Sequence, residues 1–229
     1  WKNGRQLAQI TTGGRTSAYR YDADGIRTYK KVGSVAHEYR TLNGKVVYEK
    51  IGSGSTAKIM IFSYDAQGRP FAVKYSTNNG GSYITYFYAL NQQGDVVKIF
   101  RSLPSRDSNG NLNGLTEAVY ATYTYDAWGN PLSTTGSLAT TLGAQNPLRY
   151  RGYVYDTETG LYYLQSRYYN PGWGRFINAD SLIVDCGANT QNLLIRLNLS
   201  YRVLKKRFVL LYHLHTYNRR GGHVYYIFP

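Results

Sequence analysis

Residues 146–180 read NPLRYRGYVYDTETGLYYLQSRYYNPGWGRFINAD, and this stretch decides the fold. Aromatic and β-branched residues recur at short intervals, and Gly and Pro punctuate them, which is the grammar of hairpins rather than helices. The pattern predicts two hairpins. Tyr150 to Tyr155 pairs with Leu161 to Leu164 across the turn Asp156-Thr157-Glu158-Thr159-Gly160, and Gln165 to Tyr169 then extends to a stop at Pro171-Gly172. The rings at 150, 153, 155, 162, 163, 168 and 169 would form a cross-strand aromatic ladder, each pair contributing roughly 0.2–1 kcal/mol. Arg149, Arg151, Arg167 and Arg175 are interleaved, placed to stack on the rings or to pair with Asp156 and Glu158. Such interleaving can also bind nucleic acid, but packed sheet with neighbouring acids is the simpler expectation.

Upstream, the tyrosine-aspartate phrase of this stretch recurs. YDADGIR occupies 21–27, YDAQGRP 64–70, YDAWGNP 125–131 and YDTETGL 155–161, with a weaker copy, LNQQGDV, at 90–96. The Tyr ends a strand. Asp22, Asp65, Asp126 and Asp156 can each accept a backbone N–H two residues on, and Gly25, Gly68, Gly129 and Gly160 supply the positive φ that closes the turn. The aspartates are therefore read as turn residues rather than catalytic acids. Segments between them alternate, as in Tyr83-Ile84-Thr85-Tyr86-Phe87-Tyr88. The copies are unevenly spaced, which argues for a long meander with variable hairpins and against a solenoid of fixed period.

Composition agrees. The 229 residues include 25 Tyr and 24 Gly against one Met, and the net charge is +14. An all-β class follows. The positive balance fits either basic residues dispersed over a surface or an anionic polymer as partner. Cys186 is the one cysteine, so no internal disulfide can form. No apolar run nears the roughly 18 residues a membrane span requires. The sequence opens on WKNGRQL without an initiator Met, and a fragment is expected whose export signal would lie upstream.

With these residues in view, the YDxxG phrases are similar to the YD repeats of Rhs proteins, wall-associated proteins and toxin-complex shell subunits. The 146–180 block resembles the Rhs-associated core motif. The resemblance rests on Tyr150, Arg151, Gly152, Tyr153, Tyr162, Tyr163, Arg167, Tyr168, Tyr169, Gly174, Arg175, Phe176 and Asp180. It covers about residues 1–180. It implies a continuous antiparallel β-meander forming part of a cocoon-like shell, with 1–145 as YD-repeat sheet, 146–180 as core motif and 181–229 as a divergent basic tail. It further implies a secreted or cell-surface protein that encloses and presents a C-terminal tip in intercellular competition or adhesion. Its partners would be the remainder of its own shell and a cell-wall glycan or anionic polymer; nucleic acid is not expected as one.

Asp180 matches the first acid of the family's self-cleaving aspartyl protease. Ser181 follows it, and no DPxG phrase supplies the second acid. Aspartyl hydrolysis needs the pair, one protonated and one ionised, so self-cleavage is expected to be lost and the chain is read as not an enzyme, with no cofactor and no metal. Beyond Asp180 the repeat grammar ends. Residues 195–203 alternate as a strand would, Phe208 to Tyr217 suggests another, Asn218 to Gly222 a turn and His223 to Phe228 a third. The tail holds Arg196, Arg202, Lys205, Lys206, Arg207, Arg219 and Arg220 against Asp185 alone. Three readings stay open for it: an unrelated tip, an out-of-frame end of a damaged gene copy, or a small nuclease-like effector. His213, His215 and His223 could approach zinc geometry on neighbouring strands, but surface histidines are the plainer reading. Gly52-Ser53-Gly54-Ser55 is a hairpin loop rather than a phosphate loop, and 102–116 is expected to be the longest loop.

Overall fold

In a computed structural model of the chain, residues 1–2, 6–178, 216–217 and 223–224 are described. The chain divides into two compact units, Trp1–Ser181 and Leu182–Pro229. The first unit holds an eleven-stranded sheet. Its strands are β1 (Gln9–Thr12), β2 (Arg15–Tyr21), β3 (Arg27–Val32), β4 (Val35–Leu42), β5 (Lys45–Ile51), β6 (Lys58–Tyr64), β7 (Pro70–Ser76), β8 (Ile84–Leu90), β9 (Val96–Arg106), β10 (Leu112–Tyr125) and β11 (Pro131–Thr135). Spatial order equals sequence order and all neighbours are antiparallel, a pure meander. A second sheet follows, built from β12 (Val154–Asp156), β13 (Leu161–Leu164), β14 (Arg167–Asn170) and β15 (Arg175–Phe176).

In a meander the hairpin turns alternate between two ends of the sheet. The turns at 22–26, 43–44, 65–69, 91–95 and 126–130 therefore all lie at one end. Four of these five share one construction. Asp22 Oδ1 accepts the N–H groups of Asp24 (3.1 Å) and Ile26 (2.8 Å), so the side chain bonds four residues ahead as well as two. Asp65 does the same for Gln67 and Arg69, and Asp126 for Trp128 and Asn130. In the weaker copy Asn91 takes over the task, receiving Gln93 and Asp95. The turn glycine is needed at each because φ is positive there, as at Gly129 (φ 91°).

The repeat tyrosine does more than cap the strand with its ring. Tyr21 donates its hydroxyl to the Leu7 carbonyl (3.0 Å), Tyr64 to that of Val46 (2.7 Å) and Tyr125 to that of Val96 (2.8 Å). Tyr64 and Tyr125 tie their strand ends to the strand before, and Tyr21 ties its own to the segment just ahead of β1. Immediately before these tyrosines the register shifts by one residue, between Arg20 and Tyr21, Ser63 and Tyr64, and Thr124 and Tyr125. A bulge of this kind bends and twists the strand pair, so curvature is built in at the same end each time.

One face of the sheet is buried. Tyr19, Tyr39, Met60, Phe62, Val73, Tyr86, Tyr88, Ile99 and Tyr123 belong to a single core. The segment between β11 and β12 covers part of that face. It contains a short π-helical turn at Ala139–Gly143, places Leu142 and Leu148 in the core, and ends in a 3₁₀ turn at Tyr150–Gly152.

The structure departs from the sequence reading in three places. The strand expected from Tyr150 starts only at Val154, because Arg151 (φ 53°) and Gly152 (φ 68°) turn the chain first. Gln165, expected in a strand, sits at φ 62° and joins β13 to β14 through a tight turn. The loop expected at 102–116 is mostly the paired ends of β9 and β10, from Leu112↔Arg106 to Glu117↔Ser102. Both faces of that ribbon are wet, so no apolar alternation marks it, and Asp107 closes its tip by accepting from Asn109 and Asn111. In the second unit Thr216–Tyr217 pairs antiparallel with His223–Val224, as the turn signal at 218–222 predicts. The strand expected at 195–203, the remainder of the other two, and Asp180, Asp185, Cys186, His213 and His215 lie outside the described residues.

Candidate functional site

The feature that organises the first unit is the seam where residues 146–178 dock on the turn end of the large sheet. Strand pairing sets the block's own geometry. Tyr155 faces Tyr162, Tyr162 faces Tyr169, and Tyr169 faces Phe176. Their ring centroids are 4.7, 6.3 and 5.7 Å apart. Tyr163 and Tyr168 meet on the opposite face at 5.2 Å, their rings tilted by 46°. The period of two thus splits the expected ladder into two ladders, one per face. Tyr153 falls outside both, in the extended residue after Gly152.

The block touches the turns one after another. At the 126–130 turn, three tyrosine hydroxyls donate to successive backbone carbonyls: Tyr150 to Ala127 (3.3 Å), Tyr169 to Trp128 (2.9 Å) and Tyr162 to Gly129 (2.8 Å). Gly174 lies against the Trp128 ring, where a Cβ would come within 3.1 Å of it. At the 91–95 turn, the Arg151 backbone N–H donates to Asp95 (2.8 Å). Gly152 lies against Pro70, close enough that a Cβ would sit 2.9 Å from the proline ring. The Gln165 amide donates to the Gly44 carbonyl. Asn146, buried at the head of the block, accepts from Tyr88 (2.7 Å) and donates to the Leu148 carbonyl.

The last contact, at the 22–26 turn, is ionic. Asp156 is fully buried, and its carboxylate receives the Arg27 guanidinium at 2.5 and 3.0 Å and the Lys30 ammonium at 3.0 Å. Lys30 also reaches Glu158. The Arg27 guanidinium stacks on the rings of Tyr163 (4.4 Å) and Tyr39 (5.1 Å), and its backbone N–H donates to the Tyr163 hydroxyl. Burial pushes the Asp156 carboxyl up, but the charges of Arg27 and Lys30 and their hydrogen bonds outweigh it and hold the group below its ordinary range. Burial pulls Arg27 and Lys30 down, but Asp156 at both, joined by Glu158 at Lys30, outweighs it and raises both.

Asp156 therefore does not cap its turn. Its phrase carries one residue more than the others before the glycine, YDTETG against YDADG, and the turn is closed instead by the Gly160 N–H on the Asp156 carbonyl (2.9 Å). The aspartate is left in a strand facing the core. Among the described residues Asp156 and Glu158 are not paired with the interleaved arginines either. Arg149 is buried over the Tyr123 ring (4.2 Å) and donates to the Gly143 and Asn146 carbonyls. Arg151 covers Tyr150, Arg167 covers Phe176 (3.8 Å) and Arg175 covers Trp173. The cations that do answer, Arg27 and Lys30, were hidden from sequence because they lie over a hundred residues away. The signal that could have found Arg27 is its place at the end of a YDxxG phrase, where the second copy that is followed by a strand has Pro70.

Among the described residues no three His, Cys, Asp or Glu side chains converge as metal ligands would. A cleft beside β1 is lined by Trp1, Leu7, Ile10, Leu161, Trp173 and Ile177 with Gln9, Thr159 and Asn170, and among the described residues no acidic or basic side chain lines it. Among the described residues no helix is long and apolar enough to cross a membrane.

No family model matches the chain. The chain is 36% identical over 187 residues to the tRNA3(Ser)-specific nuclease WapA of Bacillus spizizenii, covering 79% of this chain and 7% of that protein. It is 35% identical over the same length to the tRNA nuclease WapA of Bacillus subtilis, with equal coverage. The chain thus spans 7% of the length of these curated relatives. A crystal structure of TcdB2-TccC3-TEV shares the fold with a TM-score of 0.56 at 19% identity, covering 80% of this chain and 9% of that one. Together these comparisons support the Rhs-type resemblance at a coarse level. They overturn the expectation that the chain has no enzymatic role, since relatives matching 79% of it are named as nucleases. They also weigh against the expectation that nucleic acid is no partner.

Proposed function

We propose that this chain is a shell-closing segment of a secreted Rhs-type toxin of the tRNA-nuclease class. Strands β1–β11 continue the shell of the same polypeptide, the block at 146–178 seals the turn end, and the basic stretch after Asp180 is the part offered to RNA. The observation that carries the reading is the similarity to named tRNA nucleases along 79% of the chain. The seam supports the sealing role, because one contiguous block engages five successive hairpin ends through hydroxyl, amide, van der Waals and ionic contacts. The net charge of +14 suits a polyanionic substrate.

The test is incubation of the full chain with total tRNA, with and without Mg²⁺, followed by mapping of RNA ends. Discrete fragments that vanish in a Lys205→Ala/Lys206→Ala/Arg207→Ala variant are expected. Intact tRNA after prolonged exposure to stoichiometric folded protein would sink the reading.

A further inference from the structure

We propose that the open face of the eleven-stranded sheet, opposite the core, is a binding surface for single-stranded RNA. The choice of RNA over other polyanions rests on the nuclease reading; the surface itself stands on geometry.

The two faces handle positive charge differently. On the core face Arg27 and Lys30 are closed by Asp156 and Glu158. The open face presents Arg20, Lys31, Arg40, Lys50, Lys74 and Lys98, with Glu38 and Glu117 as the acids of β4 and β10. Among the described residues only Lys98 of these cations closes an ion pair, with Glu117 at 3.5 Å between half-exposed side chains. Water screens that contact, so it leaves the cation available.

Aromatic rings stand between the cations. Strand register puts Arg40, Tyr48, Ile61 and Lys74 opposite one another across β4 to β7. A second row runs Ala72, Phe87, Phe100 and Val119 across β7 to β10, two residues along β7 from Lys74. Phe71, 53% exposed, adds its ring at 5.7 Å from Phe87, which lies 5.9 Å from Phe100. Two arginines already lie over surface rings, Arg20 over Tyr29 at 4.7 Å and Arg40 over Tyr48 at 5.3 Å. Phe71 is exposed and Phe87 and Phe100 are half-buried beside it, and such an apolar patch on a charged face is costly to leave in water. Beside lysines it provides the two elements by which proteins hold single strands: cations that follow the phosphates and rings on which bases stack without regard to sequence.

The experiment measures binding of a short fluorescein-labelled single-stranded RNA to the full chain by anisotropy across a salt series. Heparin, a polyanion without bases, serves as the comparison, and circular dichroism checks folding. Arg40→Glu/Lys74→Glu is expected to weaken RNA binding by at least about tenfold and to flatten the salt dependence. Phe71→Ala is expected to weaken RNA binding about tenfold and to leave heparin binding unchanged. Should the charge reversal fail to fold, Arg40→Gln/Lys74→Gln replaces it, with a smaller loss in the same direction. Undetectable RNA binding by the parent chain, or affinities unmoved by these variants, overturns the proposal. So does a Phe71→Ala variant that treats RNA and heparin alike, which would mark a general polyanion or wall-polymer surface. Cleavage is followed in the same samples. RNA held through this face but never cut sinks the nuclease reading alone, whereas RNA cut with unchanged affinity in the variants sinks the binding face alone.

Discussion

Arg27 and Asp156, 129 residues apart in sequence, meet in the core of the first unit with both side chains sealed from solvent. Breaking a buried pair strands the surviving charge, which typically costs about 3–5 kcal/mol. Arg27→Ala and Asp156→Asn should each lower the urea-unfolding free energy by about that amount. Arg27→Met/Asp156→Leu should cost less than the two single losses together. Additive losses would mean the two groups act independently.

The depressed Asp156 carboxyl also fixes a pH response. A group whose folded value lies below its unfolded one stabilises the fold fully above the unfolded value, about 3.9. That contribution is lost as pH falls from there through the folded value. Melting temperature should hold from neutrality to about pH 5 and fall below about pH 4. In Asp156→Asn the fall should be shallower, and an equally steep one would assign acid unfolding to other carboxylates.

Tyrosines set the alkaline limit. Burial pushes the Tyr163 hydroxyl up to about 12, with the Arg27 backbone bond and charge pulling the other way, and burial raises Tyr19, Tyr64, Tyr125 and Tyr168 as well. Here the sign reverses: stability is complete below the unfolded value of 10.0 and is lost as pH rises from there through the folded value. Tyrosinate absorbance should rise in two stages, surface rings first and core rings together with loss of the sheet's circular dichroism. A single stage near pH 10, with the sheet intact, would contradict the buried ladders.

Gly129 and Gly94 separate conformational cost from contact. Both have positive φ, at 91° and 87°, but a Cβ on Gly129 would lie 2.5 Å from the Tyr150 ring while one on Gly94 meets open space. Gly94→Ala should cost about 1 kcal/mol, and Gly129→Ala appreciably more because the block must lift from its turn. Equal losses in chemical denaturation would remove the contact from the account.

The hydroxyl ties of the repeat can be removed singly. Tyr64→Phe leaves the Val46 carbonyl without its donor and should cost about 0.5–1.5 kcal/mol. Tyr29→Phe, on the open face, should change stability by less than about 0.5 kcal/mol.

Much of this architecture is legible in the sequence because its signals are local. Asp22, Asp65 and Asp126 with their glycines mark hairpins by short-range backbone chemistry, and the meander order follows from hairpins placed end to end. The Asp156 phrase misleads because one inserted residue changes which way the carboxylate points, and only the distant Arg27 reveals the difference. Arg151 and Gln165 adopt left-handed backbone without being glycine, and their residue types do not announce it. Residues 102–116 hide a ribbon because pairing with water on both sides leaves no hydrophobic imprint. The cations of the open face look dispersed along the chain, and strand register alone gathers them.

Because the block grips only one end of the hairpins, the opposite ends answer to nothing within the first unit's seam. The connections at 52–57, 77–83 and 107–111 can therefore grow or shrink without disturbing a single docking contact. That freedom gives the uneven spacing of the YD phrases a mechanical origin: the sealed margin keeps step, while the far margin is free to differ in length from one hairpin to the next.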